Sequence, residues 1–300
     1  MKIATVCPPS SPLFISMVEP VLRAAGHEVR RFDDTHALAA DAWGDVVWAE
    51  WAGAHAVELS RFGTKPLVVR MLGYEVWEPA FREINWARVS CLVHACAAHI
   101  ESARALVPAL RNVRTVKTDS PLDFDRFALQ PHGNGKRIGM VGQKDARKNL
   151  WGALQVLALL PADYTLDVAG DCEDGRLWDG IQHGLDAMGL RDRVTFHGRV
   201  DDLVPWWAPI DYCLVPSTHD QGPRSLAEAM ALGVMPVIHN YPAARNKAPE
   251  GHVWTGVLDA SWMIRDGYKM SPAEYRAWIY NGRKNPDRIR AALLAAVGGA

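Results

Sequence analysis

The sequence predicts an α/β protein built from two doubly wound parallel-sheet domains, and three observations carry that expectation. Short apolar strands alternate with helical stretches twice along the chain, a Pro-, Gly- and Asp-rich break separates the two runs, and 300 residues exceed the usual length of one domain.

The elements follow in order. Lys2–Cys7 reads as a buried strand, followed by the loop Pro8-Pro9-Ser10-Ser11-Pro12. A helix then runs to about Ala25 and stops at Gly26, a residue suited to helix ends. Further strands are expected at His27–Phe32, Asp45–Ala49, Pro66–Met71, Cys91–Ala95 and Val113–Lys117, with helical patterns between most of them. Between Asp119 and Lys136 the pattern dissolves, most completely at Pro131-His132-Gly133-Asn134-Gly135, and this is the linker candidate. Alternation restarts with strand Arg137–Val141, helix Asn149–Leu160, strand Tyr164–Ala169 and a helix near Arg176–Met188. Strand Val194–His197, helix Asp202–Trp207, strand Tyr212–Val215, helix Arg224–Leu232 and strand Met235–His239 close the run. From Ser271 the chain reads as helical, with a break at Asn285-Pro286. The expected domains are 1–130, 131–270 and a helical tail, 271–300, placed to pack back on the first domain.

Composition narrows the function. With 49% hydrophobic and 22% charged residues the chain is neither disordered nor coiled coil. Residues 1–136 hold 15 Lys+Arg against 15 Asp+Glu, and residues 137–300 hold 18 against 19. Neither half therefore exerts a bulk pull on nucleic acid or anionic lipid. The tail from Arg265 is locally basic, which also suits a solvated helix face. No apolar run is long enough to span a membrane, and the N-terminus lacks a secretory h-region. Five cysteines without a C-x-x-C pair point to reduced thiols and a cytoplasmic location.

Two strand-to-helix junctions carry the chemistry. After Tyr212–Val215 comes a polar loop, Pro223 pre-sets the first helical turn, and Gly233 ends the helix. The first-turn amides, including those of Ser225 and Leu226, would stabilise a phosphate. Arg224 and Glu228 share one helix face, and Asp220 precedes them on the loop. Two carboxylates bracketing that mouth suit a polyhydroxylated ligand, since they accept hydrogen bonds from hydroxyls. The same spacing also describes a capped helix with a surface Arg–Glu pair. The second junction, 142–149, carries Gln143, Lys144, Arg147 and Lys148 and has neither a Walker A nor a dinucleotide fingerprint. Its cations suit a diphosphate or a merely exposed basic loop. No histidine shows metal-ligand spacing, and His94 and His99 read as structural.

Together these segments resemble the retaining glycosyltransferases of family four, which have the GT-B fold: two facing Rossmann-like domains with a donor cleft between them. The resemblance rests on GQKDARKNLWGAL (142–154), LDVAGDCEDG (166–175), DRVTFHGRVDD (192–202) and DYCLVPSTHDQGPRSLAEAMALGVMPVI (211–238). It extends more weakly to 45–75 and to SPLDFDRF (120–127). The long C-terminal element is similar to the family's E-x7-E motif, with Asp220 as the first acid and Glu228 as the second.

What the resemblance implies is a UDP- or GDP-hexose donor, transfer to an acceptor hydroxyl with retention, and no metal or cofactor. Asp220 and Lys148 would be catalytic, Asp220 touching the transferred sugar and Lys148 the diphosphate. Glu228 would hold the ribose, with Gln143, Lys144, Arg147, His219, Gly222, Arg224, Ser225 and Leu226 lining the donor site. Ser10, Ser11, Trp51, Gly73 and Glu75 would lie on the acceptor side; Trp48, Trp51 and Trp77, near predicted strand ends, read as core packing or as acceptor-stacking residues. An inverting reaction would instead need a base such as Glu50 or His55. The chain departs from the pattern at Gln143, where a basic residue is usual, at Leu72, where the family has His, and at Pro9-Ser10-Ser11, where it has a glycine pair. The acceptor is a carbohydrate, a small metabolite or a hydroxylated DNA base. The alternative functions are a nucleotide-sugar epimerase or hydrolase on the same fold, and a non-catalytic binding protein.

Overall fold

The computed structural model describes the chain except Ser11, Gly133, Asn134, Lys144, Tyr268 and Ala300, so two expected site residues, Ser11 and Lys144, and part of the expected linker lie outside the described residues. Contacts divide the chain into two units, Met1–Leu122 with Lys284–Ala300, and Asp123–Arg283.

The first unit runs β1 (Lys2–Cys7), α1 (Leu13–Ala24), β2 (Glu28–Asp33), α2 (Ala37–Trp43), β3 (Val46–Glu50), α3 (Ala54–Phe62), β4 (Leu67–Met71), α4 (Pro79–Glu83), β5 (Val89–His94), α5 (Ala97–Leu106) and β6 (Thr115–Lys117). Its sheet is parallel throughout, in the order β2-β1-β3-β4-β5-β6. Such a sheet is covered on both faces, which is why β3 and β4 are buried at every residue. One face packs Val47, Ala49, Val69 and Leu92 against Ala56, Leu59 and Ala103 of the helices. The other packs Ile3, Trp48, Val68 and Val93 against α1 and the C-terminal helix Pro286–Gly298, which contributes Ile289, Leu293, Ala296 and Val297.

The second unit runs β7 (Arg137–Val141), α6 (Leu150–Ala158), β8 (Thr165–Ala169), α7 (Gly175–Ala187), β9 (Val194–Gly198), α8 (Leu203–Trp207), β10 (Tyr212–Val215), α9 (Arg224–Leu232), β11 (Met235–His239), β12 (Val253–Trp254), α10 (Val257–Asp266) and α11 (Pro272–Asn281). Its parallel strands lie in the order β12-β11-β10-β7-β8-β9. Asp174 caps α7 through the amides of Arg176 and Leu177, which gives the acidic loop before it a structural task. α11 opens with a Ser271–Glu274 capping box and packs on α9.

Both expected doubly wound sheets are present, and the differences are local. The helix expected from Asn149 begins at Leu150, because Asn149 is left-handed (φ 53°) and its side chain caps the amide of Gly152. β12 and α10 were not expected; the strand has only two residues, too few for a period to register.

Candidate functional site

In the second unit the strand order reverses between β7 and β10, the place where doubly wound sheets receive ligands beyond their carboxyl ends. The two loops leaving these strands are stitched together. Thr218 N donates to Arg147 O at 2.9 Å, and Asn149 Nδ2 donates to Pro216 O at 3.1 Å. Asp145 accepts from Lys148 N at 2.8 Å and shapes the short turn Ala146–Lys148. The backbone beneath requires glycine: a Cβ on Gly170 (φ 118°) would lie 2.2 Å from the Gly142 carbonyl oxygen, and one on Gly142 (φ 144°) 3.0 Å from Lys148 Cε.

The stitching brings distant charges together. Lys148 Nζ lies 2.7 Å from Asp220 Oδ2, and Arg147 Nη1 lies 3.4 Å from the same oxygen. Asp220 also accepts from Gly222 N at 3.3 Å. Burial opposes ionisation of Asp220, but the charge and hydrogen bond of Lys148, with Arg147, outweigh it and hold the carboxyl below its ordinary range. His219 beside it is lowered, by burial first, and stays neutral at pH 7.

α9 begins at Arg224 with no side-chain cap, leaving its first turn to other partners. Arg224 Nε sits 2.6 Å from Glu228 Oε1, whose side chain is only 5% exposed. Ser225 is half-buried, Leu226 is buried and Gln143 is exposed. Gly222 (φ 110°) exposes a feature the sequence reading missed. A Cβ there would come 2.6 Å from Arg283 Nη2 and 2.7 Å from Lys247 Cδ, so two more cations crowd this loop. Lys247 is almost wholly buried. The basic tail was the one sequence signal for Arg283; Lys247 stood alone in a loop.

The first unit has its own reversal, between β1 and β3. Here Trp51 follows β3 with φ 80°, an uncommon angle for a bulky residue. Its ring meets Phe14 edge-on at 6.3 Å and Tyr74 at 5.7 Å, and its buried Nε1 has no partner among the described residues. Glu75 pins this region by accepting from Ala52 N at 2.9 Å and Leu72 N at 2.6 Å. Burial pushes the Glu75 carboxyl up to about 7 against those two amides. Gly73 (φ 55°) makes the turn between Leu72 and Glu75, and Ser10 is exposed.

Three of the candidate residues lie in the core. Trp48 is not a stacking surface: it is wholly buried on a central strand, and its Nε1 donates to Glu50 Oε2 at 3.0 Å. Glu50 is equally enclosed and paired with Arg70, which bonds Ser120 in turn. His55 is buried against the Glu50 carbonyl. Trp77 is exposed, while His94 and His99 are buried.

Among the described residues no three His, Cys, Asp or Glu side chains gather as a metal ion would require, and no helix is long and apolar enough to cross a membrane.

Residues 135–261 match the family model described as Glycosyl transferases group 1. The lipopolysaccharide core biosynthesis glycosyltransferase LpsE of Rhizobium meliloti (strain 1021) is 26% identical over 161 residues, 52% of this chain and 42% of LpsE. The match thus spans less than half the length of that curated relative. Anabaena Alr3699/HepE, solved in complex with UDP, superposes with a TM-score of 0.81 at 16% identity over 100% of both chains. The same protein with UDP-glucose gives 0.83 at 14% identity, again over 100% of both chains. The lipopolysaccharide outer core galactosyltransferase WaaB, in its apo form, gives 0.70 at 13% identity over 99% of each chain. The fold is GT-B, two Rossmann-like parallel-sheet domains.

Proposed function

We propose that this GT-B chain is a glycosyltransferase that moves a hexose from UDP-hexose to an acceptor hydroxyl, with retention and without a metal. One observation carries the reading: at the β7/β10 reversal, Arg147, Lys148, Arg224, Lys247 and Arg283 gather around one loop and an uncapped helix start, with Asp220 and Glu228 among them. Cations and helix-terminal amides are what a departing diphosphate needs, and a buried carboxylate is what a ribose diol needs. The matching family model and the UDP-bound HepE structures support the same donor.

In this reading Glu228 accepts from the ribose hydroxyls, and Arg147, Lys148 and the amides of Ser225 and Leu226 take the diphosphate. Asp220, held ionised by Lys148, orients the hexose. As the bond from the anomeric carbon to the phosphate oxygen breaks, negative charge grows on that oxygen and Lys148 stabilises it. The acceptor oxygen bonds to the anomeric carbon from the same face, and its proton passes to the leaving phosphate oxygen. Retention is supported by the family resemblance. The enclosure of Glu50 and His55, which an inverting base would need free, supports it too. Five cysteines without a C-x-x-C pair support a reducing, cytoplasmic setting.

The test is incubation with UDP-hexoses and pooled acceptors, read by mass spectrometry for a hexose gain and by NMR for the new anomeric configuration. Products from donor alone would identify an epimerase or hydrolase; UDP binding without turnover across the screen would identify a binding protein.

A further inference from the structure

In the second unit α6 packs between α10 and α7, and the three helices show water different surfaces. α7 exposes Arg176, Asp179, His183 and Asp186, the mixture expected of a solvated helix. α6 does not. Its sequence contains no charged residue, and the positions it exposes, Trp151, Gln155 and Ala158 with Leu159 just beyond, recur at the spacing of one helix face. α10 adds Leu258 and Trp262 at a four-residue interval. Trp151 is 39% exposed, Leu159 42%, Leu258 52% and Trp262 55%. Taking about 250 Å² for a whole tryptophan and rather less for a leucine, these fractions make an apolar patch of roughly 400 Å², a size that marks an interaction site.

We propose that the α6–α10 face joins two copies of this chain in a two-fold dimer. Area and charge both select a second copy as the occupant. Two such patches bring together about 800 Å² of apolar surface, roughly half of the ~1,600 Å² that a standard interface buries, which leaves the other half to a polar border. A two-fold interface sets the same patch against itself, so a patch of one sign would repel its copy. Among the exposed positions of the two helices the charges are Arg265 and Asp266, one of each sign, and the whole chain has a net charge of −1. Neither opposes self-association. The Gln155 amide both donates and accepts, so it too suits its own copy. An anionic bilayer would instead need surplus cations, and Arg265 is offset by Asp266. The assignment does not draw on the glycosyltransferase reading.

The experiment is sedimentation of the full chain from about 1 to about 100 µM, with hydrogen exchange at both ends of that range. The wild type should move from 33.1 kDa towards twice that mass, and the amides of α6 and α10 should gain protection as it does. Trp262→Glu and Leu258→Glu should each weaken the dimer about thirtyfold or more, the loss typical of a residue central to an interface. Their melting temperatures at low concentration should hold, because both side chains face water. Phe62→Glu, at the most exposed large apolar side chain of the first unit, should leave the dimer unchanged. A wild type that stays monomeric at about 100 µM would overturn the proposal. If that monomer floats with phosphatidylcholine vesicles and Trp262→Glu does not, the face belongs to a bilayer instead. A dimer that survives both glutamates, or that Phe62→Glu dissociates, would also overturn it. The exchange data need no variant: concentration-dependent protection confined to other helices would refute the assignment by itself.

Discussion

Replacing Lys148 with alanine tests the proposed donor site at the Lys148–Asp220 ion pair. At 2.7 Å, and with an effective dielectric near 20, the Lys148–Asp220 attraction is about 6 kcal/mol before desolvation is subtracted. Removing one partner of a buried pair costs about 3–5 kcal/mol of stability. Here the low end is expected, because Arg147 at 3.4 Å and the Gly222 amide at 3.3 Å still face the carboxylate. In the proposed mechanism Lys148 meets charge that grows as the glycosidic bond breaks, so turnover should also fall, by about 2.7–4 kcal/mol or on the order of 10²–10³. The pairing with Asp220 separates the two effects. In Lys148→Ala/Asp220→Asn the stranded charge is gone, so the melting temperature should recover while turnover does not. The assay is UDP release at saturating donor, beside UDP calorimetry and thermal melts for both singles and the double. Turnover of Lys148→Ala within about threefold of wild type would refute the argument and move the phosphate clamp to Arg147 or Arg224.

Other outcomes follow from the same geometry. Glu228→Ala should weaken donor binding by roughly 10–100-fold, the worth of charged hydrogen bonds, and wild-type affinity in a folded variant would reject the ribose role. Activity should survive EDTA; loss restored by Mg²⁺ or Mn²⁺ would sink a metal-free reaction. Glu75, raised from 4.5 to about 7, keeps in the folded state a proton that the unfolded chain releases, so its contribution is full below pH 4.5 and declines until about pH 7. The total change is about 3 kcal/mol, and Glu75→Gln should flatten that part of the stability–pH curve while losing one of the two amide bonds. Gly170→Ala should destabilise the second unit and perturb UDP binding, because its Cβ would collide with the Gly142 carbonyl; an unchanged melting temperature would show that this backbone relaxes.

The fold was legible because parallel strands buried on both faces spell continuous apolar runs, as Val46–Ala49 and Leu67–Val69 do. Within α9, four-residue spacing placed Arg224 beside Glu228, and the structure has them 2.6 Å apart. Contacts across the sheet were not legible. Lys148 and Asp220 are 72 residues apart and meet only because β7 and β10 are neighbours, and that strand order has no local signature. Lys247 and Arg283 were hidden for the same reason. Trp48 and Trp51 looked alike in sequence, yet one points into the core and the other sits on a left-handed turn. Three residues of register separate them, and only tertiary packing decides which ring reaches the rim.

The C-terminal helix sets a timetable for synthesis. Its residues Ile289, Leu293, Ala296 and Val297 fill one face of the sheet whose first strand is Lys2–Cys7, and Lys284 reaches back to the Ser120 carbonyl at 2.7 Å. The unit begun first is therefore completed last. While the ribosome translates 123–283, the opening sheet waits with Ile3, Ile15, Val68 and Val93 short of their cover, whereas the second unit has all its strands in hand. Chaperone demand should concentrate on the early half of the nascent chain. A stop codon near position 284 should release a folded second unit tethered to an incompletely covered first one, a species whose protease sensitivity lies before residue 123.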